Sequence, residues 1–288
     1  MSFPEPTMLL RTLLLLLSLS VFAHGQSIWT EPFPPHQIAG NIYYVGSRDL
    51  ASYLVATPEG HILINSSLEE SPPLIRTSVE KLGFKFTDIK FLLISHAHSD
   101  HCAGSAQILK ETGAKHLVME ADADAVENGG SKKPRIGKGD YTQFPPARVD
   151  RRLKDGEEVR LGDSVLVAHL TPGHTRGCTT WTMKVNDSGR TLNAVIIGSP
   201  NVNPGYVLVG NKDYPNIATD YEQTFRVLQS LPVDLFLGAH GAYFGMEAKH
   251  AMMKPEAPNP FIDAEGYHRY VSERERAFRA ELEKQTHK

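Results

Sequence analysis

The chain has 288 residues, 41% of them hydrophobic and 22% charged, with a formal net charge of −3. Such a composition describes an ordinary globular protein able to bury a sizeable core, and it excludes wholesale disorder. The small charge also lacks the basic excess carried by proteins that bind phosphate backbones, so a small-molecule partner is expected and a nucleic acid is not.

Near the N-terminus, Arg11 precedes a run from Leu13 to Phe22, followed by Ala23-His24-Gly25. This is the three-part layout of a secretory signal peptide. The apolar run, about ten residues long, falls short of the roughly 20 that a membrane span needs. The expectation is a leader over 1–25 and one domain over 26–288, exported to the periplasm or beyond. Export permits disulfides, yet only Cys102 and Cys178 are present. Whether they pair or stay as buried thiols is open at this point.

A Pro-rich lead-in, Glu31-Pro32-Phe33-Pro34-Pro35, disfavours regular structure. Short segments rich in β-branched and aromatic residues at 42–45, 52–55 and 61–64 read as a strand meander. Pro72 and Pro73 open a helix over 72–82, stopped at Gly83. A strand over 90–94 leads into His96-Ala97-His98-Ser99-Asp100-His101, and a helix over 103–112 follows, closed by Gly113. Further strands are expected at 116–119, 164–170, 179–185, 192–197 and 234–237, with helices at 219–231 and 267–284. The Gly-, Lys- and Pro-containing segment 129–146 reads as a long loop. Strands alternate with helices throughout, which points to α/β layers around sheets.

Three imidazoles and a carboxylate within six positions, His96 to His101, form an N/O donor set of the kind used by catalytic zinc. Two more histidines follow strands through tight turns: His174 in Thr171-Pro172-Gly173-His174-Thr175, and His240 in Leu237-Gly238-Ala239-His240-Gly241. Together His96, His98, Asp100, His101, His174 and His240 are six candidate ligands. Six exceed what one tetrahedral zinc uses, so a dinuclear site with an exchangeable water is the simpler account. His36, His61, His116, His169, His250, His268 and His287 read as ordinary surface or core residues.

This pattern resembles the metallo-β-lactamase superfamily, whose signature is H-x-H-x-D-H with two later histidines. It is similar in particular to class B3 through Val45-Gly46, Thr57-Pro58-Glu59-Gly60, the run Pro172 to Thr179 and the run Gly198 to Tyr206. The resemblance implies a four-layer αβ/βα sandwich with two Zn²⁺ ions, the first held by His96, His98 and His174 and the second by Asp100, His101 and His240. It implies opening of the β-lactam ring of penicillins, cephalosporins and carbapenems by a zinc-bound hydroxide that Asp100 positions, with Ser199 and Asn201 contacting the substrate. The loops at 136–144 and 203–214 would flank that substrate, and the protein would act as a monomer.

Thioester hydrolases, lactonases and RNA-processing relatives carry a metal-bridging Asp at the strand end where this chain has Gly198-Ser199, and classes B1 and B2 place a Cys ligand nearby. Another hydrolase of this fold, acting on a lactone, thioester or phosphodiester, is therefore the second reading. A zinc-binding protein without catalysis is the third. Two positions depart from the pattern: Asn201 stands where some class B3 members have a second serine, and Asn65 stands where the superfamily often has Asp-x-Gly.

Overall fold

The computed structural model describes residues 28–130 and 143–287, so the expected leader and most of the loop expected at 136–144 lie outside the described residues. Two sheets form the centre of the molecule. The first has strands β1 (His36–Ala39), β2 (Ile42–Tyr44), β3 (Tyr53–Thr57), β4 (Gly60–Ile64), β5 (Ile89–Leu93), β6 (Lys115–Met119) and β7 (Arg151–Leu153), in that order. The second runs β12 (Leu235–Gly238), β11 (Arg190–Ile197), β10 (Thr179–Asp187), β9 (Ser164–Leu170) and β8 (Glu158–Leu161). Strands β1 to β4 pair antiparallel and β4 to β7 parallel, whereas in the second sheet only β11 and β12 are parallel.

Period-two alternation decides which way each residue of the first sheet points. Tyr53, Val55, Ile62, Ile64 and Leu93 join the core shared with the second sheet, while Leu54, Leu63 and Leu92 join a separate outer core. Helices α1 (Pro72–Lys81), α3 (Ser105–Thr112) and α4 (Glu120–Glu127) cover that outer face through Ile75, Val79, Ile108, Leu109 and Val126. On the other side α5 (Ile217–Ser230) and α8 (Ala264–Thr286) place Tyr221, Phe225, Leu228, Tyr267 and Phe278 in the core of the second sheet. The result is the expected four-layer αβ/βα sandwich. Two short helices, α6 (Gly241–Phe244) and α7 (Met246–Met252), follow β12.

The expected helix over 103–112 is observed over Ser105–Thr112, and a separate helical turn precedes it. Ser99–Cys102 forms a helical turn, α2, because the His98 carbonyl accepts from His101 N and Cys102 N, each at 3.0 Å. The histidine run therefore bends into a helix rather than preceding one. Cys102 and Cys178 are both free and buried; their thiols reach the carbonyls of His98 (3.1 Å) and Ser199 (3.5 Å).

The parallel pairs Ile64↔Leu93 and Ile197↔Gly238 bring the C-terminal ends of β4, β5, β11 and β12 to one edge. Backbone bonds lace the two sheets there: Thr179 N to Ser95 O at 2.7 Å and Ala51 N to Ala239 O at 3.0 Å. Trp181 Nε1 donates to Ile94 O at 3.1 Å and Tyr53 Oη to Gly238 O at 2.6 Å. This laced edge carries every candidate ligand.

Candidate metal centre

The structure brings all six candidate ligands together. His96, His98 and His174 have ligand atoms within 4.8 Å of one another, and so do those of His96, Asp100 and His101. His240 joins from the second sheet, its Nε2 lying 3.4 Å from Asp100 Oδ2 and its ring centroid 4.9 Å from that of His101. His101 Nε2 stands 3.3 Å from the same Asp100 oxygen.

Three of the rings, those of His96, His174 and His240, are aimed by partners outside the cluster. His174 Nδ1 lies 2.8 Å from the Asn201 carbonyl, which can only accept, so that nitrogen carries the proton and Nε2 keeps its lone pair. His240 Nδ1 is likewise 2.9 Å from Asp49 Oδ2, the carboxylate–histidine arrangement that orients metal ligands. His96 Nδ1 contacts Ser95 Oγ at 3.2 Å, while its Nε2 is buried with no hydrogen-bond partner. Asp100 Oδ1 and His101 Nδ1 are also buried and unpartnered. Orphaned lone pairs cost free energy in a dry interior, and a divalent cation would satisfy several at once. With ligand bonds of about 2.0–2.1 Å, the observed spacing and the N/O chemistry suit Zn²⁺.

Electrostatics separate the two sides of the cluster. Burial holds His96 and His174 well below the ordinary imidazole pKa, and neighbouring imidazoles push them further. His101 is also lowered, because burial outweighs the pull of Asp100. His240 is the opposite case: burial opposes its charge, but hydrogen bonds and charges of Asp100 and Asp49 raise it to about 9. Burial likewise opposes the charge on Asp100, yet the charge of His101 and the bonds from His101 and His240 hold its carboxyl well below the usual range.

Backbone conformation sets these positions. Gly173, with φ +121, precedes His174, and a Cβ there would stand 2.7 Å from the Tyr221 ring. Asn65 sits at φ 66, a left-handed conformation that Asn tolerates. Its amide donates to Ala51 O (3.1 Å) and accepts from Ser95 N (2.8 Å), using both faces to anchor the start of the histidine run. A carboxylate could fill only the accepting role.

Ser199 is buried, with Oγ 3.3 Å from Tyr243 Oη. Asn201 is tied in by its backbone, its carbonyl also accepting from Tyr221 Oη at 2.7 Å, and its side chain reaches the phenols of Tyr243 and Tyr270. In the segment 203–214, Tyr206 Oη donates to the His174 carbonyl at 2.8 Å. Gln285 of α8 clamps that segment, accepting from Leu208 N (2.7 Å) and donating to Tyr206 O (2.8 Å).

Asp49, Asp122, Tyr243 and Gln285 were invisible in the sequence. Asp122 accepts from Ala97 N (2.9 Å), Thr175 Oγ1 (2.6 Å) and Gly177 N (2.8 Å), joining the loops of His96 and His174. A Cβ on Gly177 would lie 2.5 Å from Asp122 N, so that joint needs glycine. The one local signal for Asp122 is its place in the first turn of a helix that directly follows a buried strand.

Residues 45–240 match the family model described as the metallo-beta-lactamase superfamily, and the chain belongs to that superfamily. Solved structures similar to it include the metallo-beta-lactamase FEZ-1 from Legionella gormanii, at 52% identity over 89% of this chain and 98% of that one, with a TM-score of 0.86. BJP-1 of Bradyrhizobium japonicum, described as a subclass B3 metallo-beta-lactamase, shows 41% identity over 91% of this chain and 98% of its own, TM-score 0.85. LRA-12 from an Alaskan soil metagenome, described as a class B3 di-zinc enzyme, shows 35% identity over 88% of this chain and 96% of its own, TM-score 0.83. A hydroxyacylglutathione hydrolase of Rhodopseudomonas palustris is 30% identical over 128 residues, which are 44% of this chain and 40% of that relative's length.

Proposed function

We propose that this chain is a secreted, zinc-dependent hydrolase that opens the β-lactam ring of penicillins, cephalosporins and carbapenems, acting as a monomer on a small molecule. One observation carries the reading: beside the buried cluster the strand end of β11 offers the Ser199 hydroxyl, where a bridging carboxylate would mark the thioester and phosphodiester hydrolases. The likeness to hydroxyacylglutathione hydrolase spans 40% of that relative, whereas the likeness to FEZ-1 spans 98% of that chain.

In this reading His96, His98 and His174 hold one Zn²⁺, and Asp100, His101 and His240 hold a second. Bound zinc supplies Lewis-acid polarisation of the lactam carbonyl and lowers the pKa of water. Asp100 presents an oxygen that no protein donor occupies, which orients the attacking water and accepts its proton. The ring fixed by Asp49 keeps the Nε2 face of His240 turned inward. Ser199, steadied by Tyr243, donates to the substrate carboxylate, and Asn201 lines the wall beside it. No side chain needs to act as a covalent nucleophile, and the lowered thiol acidity of buried Cys102 and Cys178 disfavours that role.

The test is hydrolysis of nitrocefin and imipenem by the purified, zinc-loaded chain with and without a chelator, with S-lactoylglutathione assayed in parallel. Chelator-sensitive turnover of the β-lactams is expected; turnover of the thioester alone would replace this reading with the second one. Protein recovered after export should begin at Gln26.

A further inference from the structure

A second cavity, of about 600 Å³, lies between α6, α7 and α8. That volume is within the range of small-molecule sites. None of the six candidate metal ligands lines it; Tyr243 and Asn201 form its border with the metal centre. Tyr243 stands between the two, its ring 5.0 Å from His240 and stacked at 5.2 Å on Tyr270.

The polar groups facing this cavity are chiefly donors. Tyr270 Oη and Arg274 Nε are buried without a hydrogen-bond partner, apart from the approach of the Asn201 amide to the phenol. Lys249, itself 7% exposed, pairs with Asp263 at 2.8 Å and lies 5.4 Å from the Phe236 ring centroid. The lining cations Lys249, Arg269 and Arg274 outnumber the lining anions Asp263 and Glu273 by one. The Arg274 guanidinium carbon lies over the Tyr270 ring, 5.6 Å from its centroid, within cation–π range. At the mouth Met252 is 56% exposed, a large apolar surface in an otherwise charged neighbourhood. Unpartnered buried donors carry a penalty that an acceptor removes, and the residual positive charge selects an anionic one.

We propose that this cavity is a binding site for a small organic carboxylate with a planar apolar body. Its carboxylate accepts from Arg274 and the Tyr270 hydroxyl, and its ring lies against Tyr270 and Met252. The site is separate from the one that hydrolyses substrate.

Titration calorimetry on the full, zinc-loaded chain with 2-naphthoate tests this, with uncharged 2-naphthol as the control. Expected is one-to-one binding of the carboxylate, with the naphthol weaker by at least about tenfold, the size of one lost charged hydrogen bond. Arg274→Gln should weaken 2-naphthoate by a similar factor. Met252→Glu, at an exposed position that leaves the core intact, should weaken it by charge repulsion at the mouth. Ser199→Ala should leave it unchanged. Absence of binding, binding that survives both Arg274→Gln and Met252→Glu, or binding lost in Ser199→Ala would overturn the proposal; the last two would place the ligand at the metal centre.

Discussion

The two sides of the candidate metal centre are built from different physics. On the His96, His98 and His174 side, burial keeps the His96 and His174 imidazoles neutral, and the groups that aim these two are a hydroxyl and a backbone carbonyl. On the Asp100, His101 and His240 side, two carboxylates share the pocket and hold His240 toward its charged form. In the first half His96 and His174 are preformed neutral donors. The second half is charge-balanced by a proton that a cation must displace, so metal affinity there is expected to depend more steeply on pH.

Removal of a ligand has the largest expected effect. His98→Ala should abolish zinc retention on the three-histidine side and lower kcat/KM for nitrocefin by at least about 10³-fold, or about 4 kcal/mol of transition-state stabilisation. Retention of full activity would break the ligand assignment. Asp49→Asn comes next: it keeps all six ligands but removes the carboxylate that orients His240. Zinc affinity on that side should fall by about 10–100-fold while the other half holds its metal, as read by competition with a chromophoric chelator.

Asp122→Ala acts on the joint between the halves of the fold rather than on a ligand. Loss of an acceptor that serves three donors should destabilise the protein by about 2–4 kcal/mol in denaturant melts.

A further effect concerns a buried imidazole outside the candidate ligand cluster. His116 donates to the Arg148 carbonyl at 2.9 Å and is pushed by burial down to about 4. Between pH 6.5 and about 4 the unfolded chain binds the extra proton, so stability is complete above pH 6.5 and falls as pH drops, by up to about 3 kcal/mol. His116→Gln should flatten that part of the profile. If it does not, burial alone does not explain the depressed histidines of the cluster.

Much of this was legible in the chain. The strands at 42–45, 61–64 and 192–197 announce themselves by β-branched content, and the histidine run by its density. The structure adds β7 and β8, whose sequences Arg151-Arg152-Leu153 and Glu158 to Leu161 are too short and charged to show a buried face. It also adds α4, which begins at Glu120 directly after β6 with no turn residue to mark the boundary. Asp49 and Asp122 lie 191 and 25 residues from the groups they serve. No local pattern encodes such a partner, because tertiary packing alone brings it near. Asn65 shows the reverse: a departure from the family pattern proved to be a residue whose two-sided amide fits its two backbone neighbours.

The measurement that bears most directly on the two-half account is zinc stoichiometry by mass spectrometry of the wild type, His98→Ala and Asp100→Asn, with nitrocefin turnover recorded on the same samples. The account predicts two zinc ions per wild-type chain, one in each variant, and turnover lost in both. A single ion in all three proteins, or two ions and undiminished turnover in either variant, would contradict it.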